Sequence, residues 1–317
     1  MHINNDIRIL VLCNNEMAIP AMQQLYMSGS LKAVMVPEKN TALISMLQQM
    51  LTGTGVSLLN VNRKNLEAII KKTATEKNIT TAWLMTFAYI IPKSLLNVLP
   101  GGFINFHYGL LPQYRGANPV LAQMISGETH SGITVHIVDE NIDTGPVVMQ
   151  QKIPVDDRDT FGIQLQKLGI LGASMAMQLL QICRINTVPP SVPQDESKAK
   201  YHKKPVAADL MINWNTMTGR QVIRLINACN PWNKGAGSFI KGMVICLTDA
   251  ELCDETPITP AAPGTIIALD EDEGLKIYCF DNKAIKINVI YTQQGFFSGK
   301  RLADYGIKIN DQFLSAK

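Results

Sequence analysis

The most informative stretch of this chain is Gly102–Pro119, which reads G-F-I-N-F-H-Y-G-L-L-P-Q-Y-R-G-A-N-P. Its first residues predict a short strand in which Asn105 and His107 point to the same face, because side chains alternate along a strand. Glycine and proline then predict an irregular loop. An amide and an imidazole therefore stand side by side at a strand end, which is where open α/β sheets bind their ligands.

A second stretch, Gly132–Pro146, repeats this design as G-I-T-V-H-I-V-D-E-N-I-D-T-G-P. Its β-branched residues predict a strand, which is followed by a polar turn that contains Asp143. If the ends of the two strands are neighbours, Asp143 reaches His107. His136 lies on the second strand in phase with Thr134, and we interpret it as a structural or pocket-lining residue.

The trio of Asn105, His107 and Asp143 suits acyl transfer to an amine. Asn105 can donate a preorganised hydrogen bond to the oxyanion that forms when a carbonyl is attacked. Histidine titrates near neutral pH, so His107 can move the proton of the amine or, as imidazolium, stabilise the oxyanion. Asp143 favours the imidazolium and orients the ring. An amine that attacks directly requires no nucleophilic serine or cysteine.

The combination of N-x-H, L-L-P-x-Y-R-G and G-x-T-x-H-x-x-D-x-x-x-D-T-G resembles the folate-dependent formyltransferases. The resemblance implies that Asn105, His107 and Asp143 are catalytic and that 10-formyltetrahydrofolate is the formyl donor. It also implies a folate wall, in which main-chain groups of a loop hold the pterin ring. The residues predicted for this wall are Phe87, Ala88, Tyr89, Ile90, Ile91 and Pro92, with Val138, Asp139 and Glu140 opposite.

Contacts with the acceptor are predicted in the loop that follows His107. The residues predicted to make them are Tyr108, Gly109, Leu110, Tyr114, Arg115 and Gly116. Gly109 departs from the family pattern, which usually has serine at this place before Leu-Leu-Pro. We expect the formyl-transfer chemistry to survive this departure.

Buried apolar runs alternate with helical segments in the first half of the chain, and they predict an α/β fold with a doubly wound, mostly parallel sheet. The run Ile7–Cys13 is the first of these strands, and Thr81–Phe87 precedes the predicted folate wall. The sheet is Rossmann-like, but no G-x-G-x-x-G follows the first strand, so a dinucleotide site is not predicted. Short strands separated by glycine and proline then predict a small OB-like β-barrel domain at the C-terminal end.

The predicted domains are a formyltransferase catalytic domain at 1–186, a linker at 187–205 and the barrel domain at 206–317. The linker pattern P-Q-D-E…Y-x-K-K is similar to that of methionyl-tRNA formyltransferases. The resemblance continues through N-P-W at Asn230 and the closing G-K-R-L-A-D-Y-G, so it covers nearly the whole chain. The lysines of the linker are interpreted as a solvated face rather than as phosphate contacts; they are Lys198, Lys200, Lys203 and Lys204.

Composition narrows the class of protein. The chain has 317 residues and a net charge of +3, too slight to indicate a nucleic-acid partner. Six cysteines without a C-x-x-C pair predict neither a zinc site nor a disulfide framework, and no metal is predicted. The N-terminus does not resemble a signal peptide, and we identify no apolar run long enough to span a bilayer. We therefore expect a cytoplasmic protein with no membrane contact.

Two features bear on the amine that accepts the formyl group. Enzymes of the family that are specific for tRNA usually carry a basic loop after the second strand, whereas Val36–Leu47 contains one lysine and no arginine. From Pro205 to Lys317 there are 11 Lys and Arg against 12 Asp and Glu, a net charge of −1. Since nucleic-acid binding depends on basic contacts to phosphate, the leading hypothesis is a small or carrier-bound primary amine, such as an amino sugar nucleotide or an amino acid.

Three alternatives stay open. The two-domain resemblance favours methionyl-tRNA formylation, with tRNA as the partner. Water as the acceptor would give a formyltetrahydrofolate hydrolase, but those relatives usually carry an N-terminal regulatory domain that this sequence does not show. A non-catalytic folate-binding protein would be expected to have lost catalytic residues, and none is lost here.

Overall fold

The structure is a computed structural model that describes residues 6–253 and 260–315. Contacts between residues divide it into two compact units. The first unit comprises the described residues up to Pro119, together with His130–Ile153 and Leu165–His202. The second comprises Val120–Thr129, Pro154–Gln164 and the described residues from Lys203 onward. These units follow contacts in space, so the domain limits predicted along the sequence stay a prediction.

The strands described up to residue 202 are mostly parallel. In chain order, β1 to β9 are Ile9–Cys13, Leu31–Pro37, Ser57–Val61, Thr81–Met85, Phe103–His107, Arg115–Gly116, His130–Ile137, Val147–Pro154 and Tyr201–His202. One sheet has the order β3-β2-β1-β4-β5-β7-β8, and β6 pairs with β9. Strands β1 to β5 are parallel, whereas β7 runs antiparallel to β5. This order, which grows outward from β1 in both directions, confirms the predicted doubly wound α/β fold.

Helices connect these strands. In chain order, α1 to α5 are Ile19–Met27, Thr41–Leu51, Leu66–Glu76, Pro119–Ser126 and Phe161–Ile185. Asn40 begins α2, because its side chain accepts a hydrogen bond from the backbone N–H of Leu43 at 3.2 Å. Strands β1 and β4 are buried along their whole length, as central strands covered on both faces are expected to be.

The long helix α5 corrects one expectation from the sequence. It has 25 residues, and an 18-residue window in it reaches a mean hydropathy of 1.4, so by length and composition it could cross a membrane. It is the one such helix in the part of the chain that the structure describes, and 44% of its window is buried inside the protein. Leu168, Met175 and Leu179 are fully buried. Because these residues recur at helical spacing, the apolar character of α5 is that of a helix packed into a protein core.

The second unit is rich in β-structure. Its strands β10 to β15 are Ala236–Ile240, Met243–Leu252, Ile266–Asp270, Gly274–Tyr278, Ala284–Thr292 and Gly295–Ser298, and helix α6 is Gly219–Ala228. The strands form an antiparallel sheet in the order β10-β11-β14-β13-β12, with β15 beside β14. Isolated bridges pair Leu314 with Phe239 of β10 and Gln312 with Thr265 beside β12. The C-terminal segment thus joins the two edges of the sheet, which fits the predicted OB-like barrel.

Helix α6 packs into the core of the second unit. It begins with a capping box, in which Thr218 Oγ1 accepts from the backbone N–H of Gln221 at 3.3 Å and the Gln221 side chain accepts from the backbone N–H of Thr218 at 2.8 Å. Its apolar residues Val222 and Ile226 are fully buried in the same cluster as Trp214. The indole N–H of Trp214 donates to Ser238 Oγ at 2.9 Å, so this core contains a satisfied polar atom.

Candidate active site

The predicted catalytic residues lie where β5 meets β7. The register of the two strands places His136 opposite Asn105 and Thr134 opposite His107. Because the pair is antiparallel, the carboxyl end of β5 and the carboxyl end of β7 lie at opposite ends of the paired strands. The expectation that the two strand ends are neighbours is therefore wrong, and Asp143 reaches the site by a different route.

The turn after β7 folds back along β5 and carries Asp143. Hydrogen bonds from Ile137 N to Pro146 O (3.0 Å) and from Val138 N to Phe103 O (2.8 Å) close its base. Asp143 has a left-handed backbone with φ of 59°, which non-glycine residues seldom adopt. Gly145 packs directly on the carbonyl of Ile137, where a Cβ atom would overlap it. The D-T-G sequence thus allows a turn tight enough to return to the strand.

Asp143 contacts both imidazoles of the site. Its Oδ1 atom lies 3.4 Å from His107 Nδ1 and 3.7 Å from His136 Nε2, and its Oδ2 atom accepts a hydrogen bond from Gly116 N at 2.9 Å. Burial by itself would raise the pKa of Asp143, but the charge of His107 and the hydrogen bonds to the carboxylate outweigh burial and hold that pKa well below its usual range. Asp143 is therefore ionised at neutral pH.

Both ring nitrogens of His107 face acceptor oxygens. Nδ1 faces the carboxylate of Asp143, and Nε2 donates to the main-chain carbonyl of Tyr114 at 2.6 Å. The ring is buried, and each of its nitrogens has an acceptor oxygen within reach of an N–H group. His107 can therefore offer an N–H donor to a substrate oxygen that replaces the Tyr114 carbonyl.

His136 orients Asn105. Its Nδ1 donates to the carbonyl of Ile137 at 2.9 Å, which leaves Nε2 as an acceptor for the Asn105 amide at 3.1 Å. This arrangement uses one N–H of the amide and leaves the second for a developing oxyanion. The sequence indicated a structural or pocket-lining role for His136 from its alternation with Thr134, but the contact with Asn105 depends on the register between strands.

The segments predicted to form the folate wall converge beside the sheet. Phe87 and Tyr89 pack edge to face, with ring centroids 5.4 Å apart. Both pack against the apolar core of the first unit, whereas Ile90 is 68% exposed. An ion pair between Lys93 Nζ and Glu140 Oε1, at 2.6 Å, links the loop to the opposite segment. The structure thus brings together the two segments that the sequence named.

The main chain of residues 88–91 has hydrogen-bonding groups that could bind the pterin ring of a folate. Over residues 88–91, all of which the structure describes, the main-chain N–H and C=O groups make no hydrogen bond to other described residues. Free donors and acceptors beside aromatic and aliphatic side chains suit a flat heterocycle that carries several polar groups. The chemistry of these residues therefore matches the pterin ring, and binding of folate by the individual side chains stays a prediction.

Most side chains predicted to contact the acceptor are turned inward. Tyr108, Tyr114 and Arg115 are buried, and the guanidinium of Arg115 forms an ion pair with Glu196 of the linker. Leu110 and Gly116 are half-buried. Backbone groups of this loop face the trio, as shown by the bonds to His107 and Asp143 described above. Acceptor contacts by these residues stay a prediction.

Local packing explains why glycine occupies position 109. A Cβ atom on Gly109 would lie 2.6 Å from Pro119 Cβ and 2.9 Å from His107 Nε2, closer than van der Waals contact allows.

Gly109→Ser is therefore expected to displace the His107 ring and to lower kcat about tenfold or more, although serine is the usual family residue. Steady-state kinetics check this, with Gly169→Ser as a control because its nearest atom lies 3.4 Å away. Full activity of Gly109→Ser would show that the loop relaxes around a side chain.

The cysteines do not offer a nucleophile. Burial raises the pKa of four thiols to about 12; they are Cys13, Cys183, Cys229 and Cys279. Burial also raises the pKa of Cys246 and Cys253. Since the thiolate is the reactive form, acyl transfer through cysteine is disfavoured. Among the described residues, no group of three His, Cys, Asp or Glu side chains is placed to hold a metal ion.

This fold and this site define a formyltransferase. The family model described as formyl transferase matches residues 22–175, and the model described as formyl transferase, C-terminal domain, matches residues 206–297. The chain belongs to this family of enzymes, as the resemblance of its motifs implied. The predicted donor, 10-formyltetrahydrofolate, is the formyl donor that the family uses.

Particular relatives agree with this assignment. A methionyl-tRNA formyltransferase from Thermodesulfovibrio yellowstonii is 30% identical over 303 residues, which cover 90% of this chain and 94% of the relative. An N-formyltransferase from Helicobacter canadensis in complex with folinic acid and dTDP-3-aminofucose has a TM-score of 0.66 at 18% identity, covering 88% of this chain and 98% of its own. HypX from Aquifex aeolicus in complex with tetrahydrofolic acid has a TM-score of 0.59 at 18% identity, covering 93% of this chain and 46% of its own. At such identities the solved structures show a shared fold.

Proposed function

We propose that this protein transfers the formyl group of 10-formyltetrahydrofolate to a primary amine on a small molecule or a carrier, such as an amino sugar nucleotide or an amino acid. The observation that carries the reaction is the arrangement of the trio, in which the carboxylate of Asp143 lies 3.4 Å from the imidazole of His107 and Asn105 has an N–H to spare. The bound folate supplies an activated formyl group, and the free main-chain groups at 88–91 would hold its pterin ring.

Each residue of the trio has its own task in this reaction. Asn105 donates its second N–H to the formyl oxygen as negative charge develops there. His107 supplies positive charge to the same oxygen and relays the proton that the amine loses and the folate nitrogen gains. Asp143 stays ionised, so it orients the His107 ring and stabilises the positive charge that the ring carries during the proton relay. One C–N bond forms to the amine while another breaks to the folate nitrogen, and the proton relay balances the exchange.

The connection between β2 and α2 supports a small acceptor. Three residues, 38–40, join the two elements, and they are held in place. Glu38 N donates to Val61 O at 2.8 Å, and Asn40 Nδ2 donates to Asn14 O at 2.7 Å. Lys39 is the one basic residue in this turn. This three-residue turn is too short to form the basic loop that is expected in tRNA-specific enzymes. Such a loop matters because tRNA binding takes much of its affinity from basic contacts to phosphate.

Methionyl-tRNA formylation is the second candidate function. It is favoured by the relative from Thermodesulfovibrio yellowstonii, which carries that name and aligns over 90% of this chain. The two candidates share the donor and the trio, so they differ in the acceptor alone.

An acceptor panel separates the candidates. Tetrahydrofolate formation is followed with 10-formyltetrahydrofolate alone, then with amino sugar nucleotides, with amino acids and with charged methionyl initiator tRNA. We expect turnover with a small amine and little change in rate between about 50 and 200 mM salt. Turnover with the tRNA alone, falling steeply over that salt range, would contradict the small acceptor. Formate released without any acceptor would instead indicate a hydrolase.

A further inference from the structure

The linker contributes more than a connection between domains. Residues 194–202, here called the linker segment, run along the loop that follows β5. Lys200 N donates to Pro112 O at 3.1 Å, Arg115 N donates to Lys200 O at 3.0 Å, and Ala117 N donates to His202 O at 3.0 Å. The ring of His202 also stacks on that of Tyr114, with centroids 4.8 Å apart. The linker segment is therefore held against the same loop whose backbone contacts His107 and Asp143.

Gln194 connects this segment to the catalytic turn. Its Nε2 donates to the carbonyl of Asp143 at 2.9 Å and to the carbonyl of Gly145 at 2.8 Å. Its Oε1 accepts from Arg115 at 2.9 Å from Nη2 and at 3.3 Å from Nε. Both donors and the acceptor of this amide are thus in use. One side chain holds the turn on both sides of Thr144 and ties it to Arg115.

Arg115 is in turn held by the linker segment. It is fully buried in β6, and Nη1 and Nη2 donate to the two carboxylate oxygens of Glu196 at 2.8 and 2.5 Å. A paired, planar fork of this kind fixes direction as well as distance. The hydrogen bonds from Arg115 lower the pKa of Glu196, so this carboxylate stays charged at neutral pH. The guanidinium that holds Gln194 is therefore immobilised.

We propose that Gln194 is a positioning residue for formyl transfer, which acts by holding Asp143 at its working distance from His107. Asp143 needs such support because its left-handed backbone, with φ of 59°, is unfavourable for a non-glycine residue. Gln194 binds the main chain of this residue, while Gly116 of β6 binds its carboxylate at 2.9 Å. The linker segment thus supports the main chain of Asp143 through Gln194. It supports the carboxylate of Asp143 through Gly116, because β6 pairs with β9. This inference rests on the proposed function.

Two substitutions of Gln194 separate positioning from packing. Gln194→Met keeps the length of the side chain and removes its donors and its acceptor, whereas Gln194→Glu keeps an oxygen for Arg115 and removes the donors to the turn. Gln312→Met is the matched control, because Gln312 Nε2 also donates to a main-chain carbonyl, that of Pro263 at 2.9 Å, in the second unit. The readouts are kcat, the KM for the folate donor, and hydrogen exchange of the Gly116 amide, which reports directly on its bond to Asp143.

We expect both Gln194 variants to lower kcat about 10- to 100-fold, because misplacement of a catalytic group by about 1 Å has effects of this size. The KM for the folate donor should stay within about twofold of wild type, the Gly116 amide should exchange faster, and Gln312→Met should match wild type in all three. The proposal is overturned if Gln194→Met retains the wild-type kcat, or if Gln194→Glu restores kcat and Gly116 protection, since contact with Arg115 would then suffice. If wild-type protein turns over no acceptor, the proposed function fails, and Gly116 exchange still decides whether Gln194 holds the turn.

Discussion

His107→Ala is expected to lower kcat by about a thousandfold while the protein still binds folate. The substitution removes the N–H donor aimed at the formyl oxygen, the positive charge beside it and the proton relay. General acid–base catalysis and oxyanion stabilisation each contribute about 10²-fold or more to reactions of this type. Asn105 is left in place, so a residual rate is expected. Single-turnover kinetics with saturating donor measure the chemical step separately from product release.

His130→Ala is the control for this experiment. His130 is an exposed imidazole at the start of β7, on the strand that also carries His136, and it has no place in the site. Titration with 5-formyltetrahydrofolate should give similar affinity for wild type and both variants. A kcat within tenfold of wild type in His107→Ala would contradict the assigned chemistry.

Asp143→Asn is expected to lower kcat about a hundred- to a thousandfold. The amide has the shape of the carboxylate but removes the negative charge that faces the His107 ring. Its NH₂ group also faces an imidazole N–H, donor against donor, in one of its two orientations. The KM for the folate donor should change little, because Asp143 touches the imidazoles and not the folate wall. Steady-state kinetics at neutral pH check this split between kcat and KM.

The same substitution should alter how stability depends on pH. The folded-state pKa of Asp143 lies well below its ordinary value of 3.8, so the carboxylate stabilises the fold wherever the pH is above that ordinary value. As the pH falls below it, the unfolded chain binds a proton that the native state does not, and this stabilisation is lost. Asp143→Asn is therefore expected to lower the free energy of unfolding by about 1.5–3 kcal/mol at neutral pH, and by less in acid.

Asp311→Asn is the matched control for the effect on kcat. Asp311 also has a lowered pKa, caused first by its hydrogen bond from Lys241, and the two groups lie 2.6 Å apart in the second unit. This control should leave kcat unchanged. Denaturant unfolding at several pH values measures stability. A constant difference between wild type and Asp143→Asn from neutral pH into acid would show that the pKa of Asp143 is not depressed.

The parts of the site that lie close in sequence could be predicted without a structure. Asn105 and His107 share a face because they are two residues apart on one strand, which is a local property of β-structure. The order of strands and helices in the first unit followed from buried apolar runs in the same way. The strand Val147–Pro154 was not predicted, since it alternates exposed residues with half-buried ones and gives a weak hydrophobic signal.

Contacts between distant residues could not be predicted in this way. Asp143 reaches His107 because its turn folds back along an antiparallel strand, and not because two strand ends meet. His136 faces Asn105 through a register that sequence alone does not specify. Gln194 lies 51 residues after Asp143, inside a segment whose proline and charge indicate a linker. Composition describes the exposed face of that segment, but its inward-facing side chains are set by tertiary contacts.

Labelled carbon shows whether the formyl group passes directly from the folate to the amine. 10-Formyltetrahydrofolate that carries ¹³C in its formyl group is incubated with the protein and the best small amine from the acceptor panel. We expect the label to appear on the amine nitrogen as a formamide, with one tetrahydrofolate released for each formamide formed, and we expect His107→Ala to slow both by about a thousandfold. Label recovered as free formate, or tetrahydrofolate released without formamide, would contradict direct transfer to an amine.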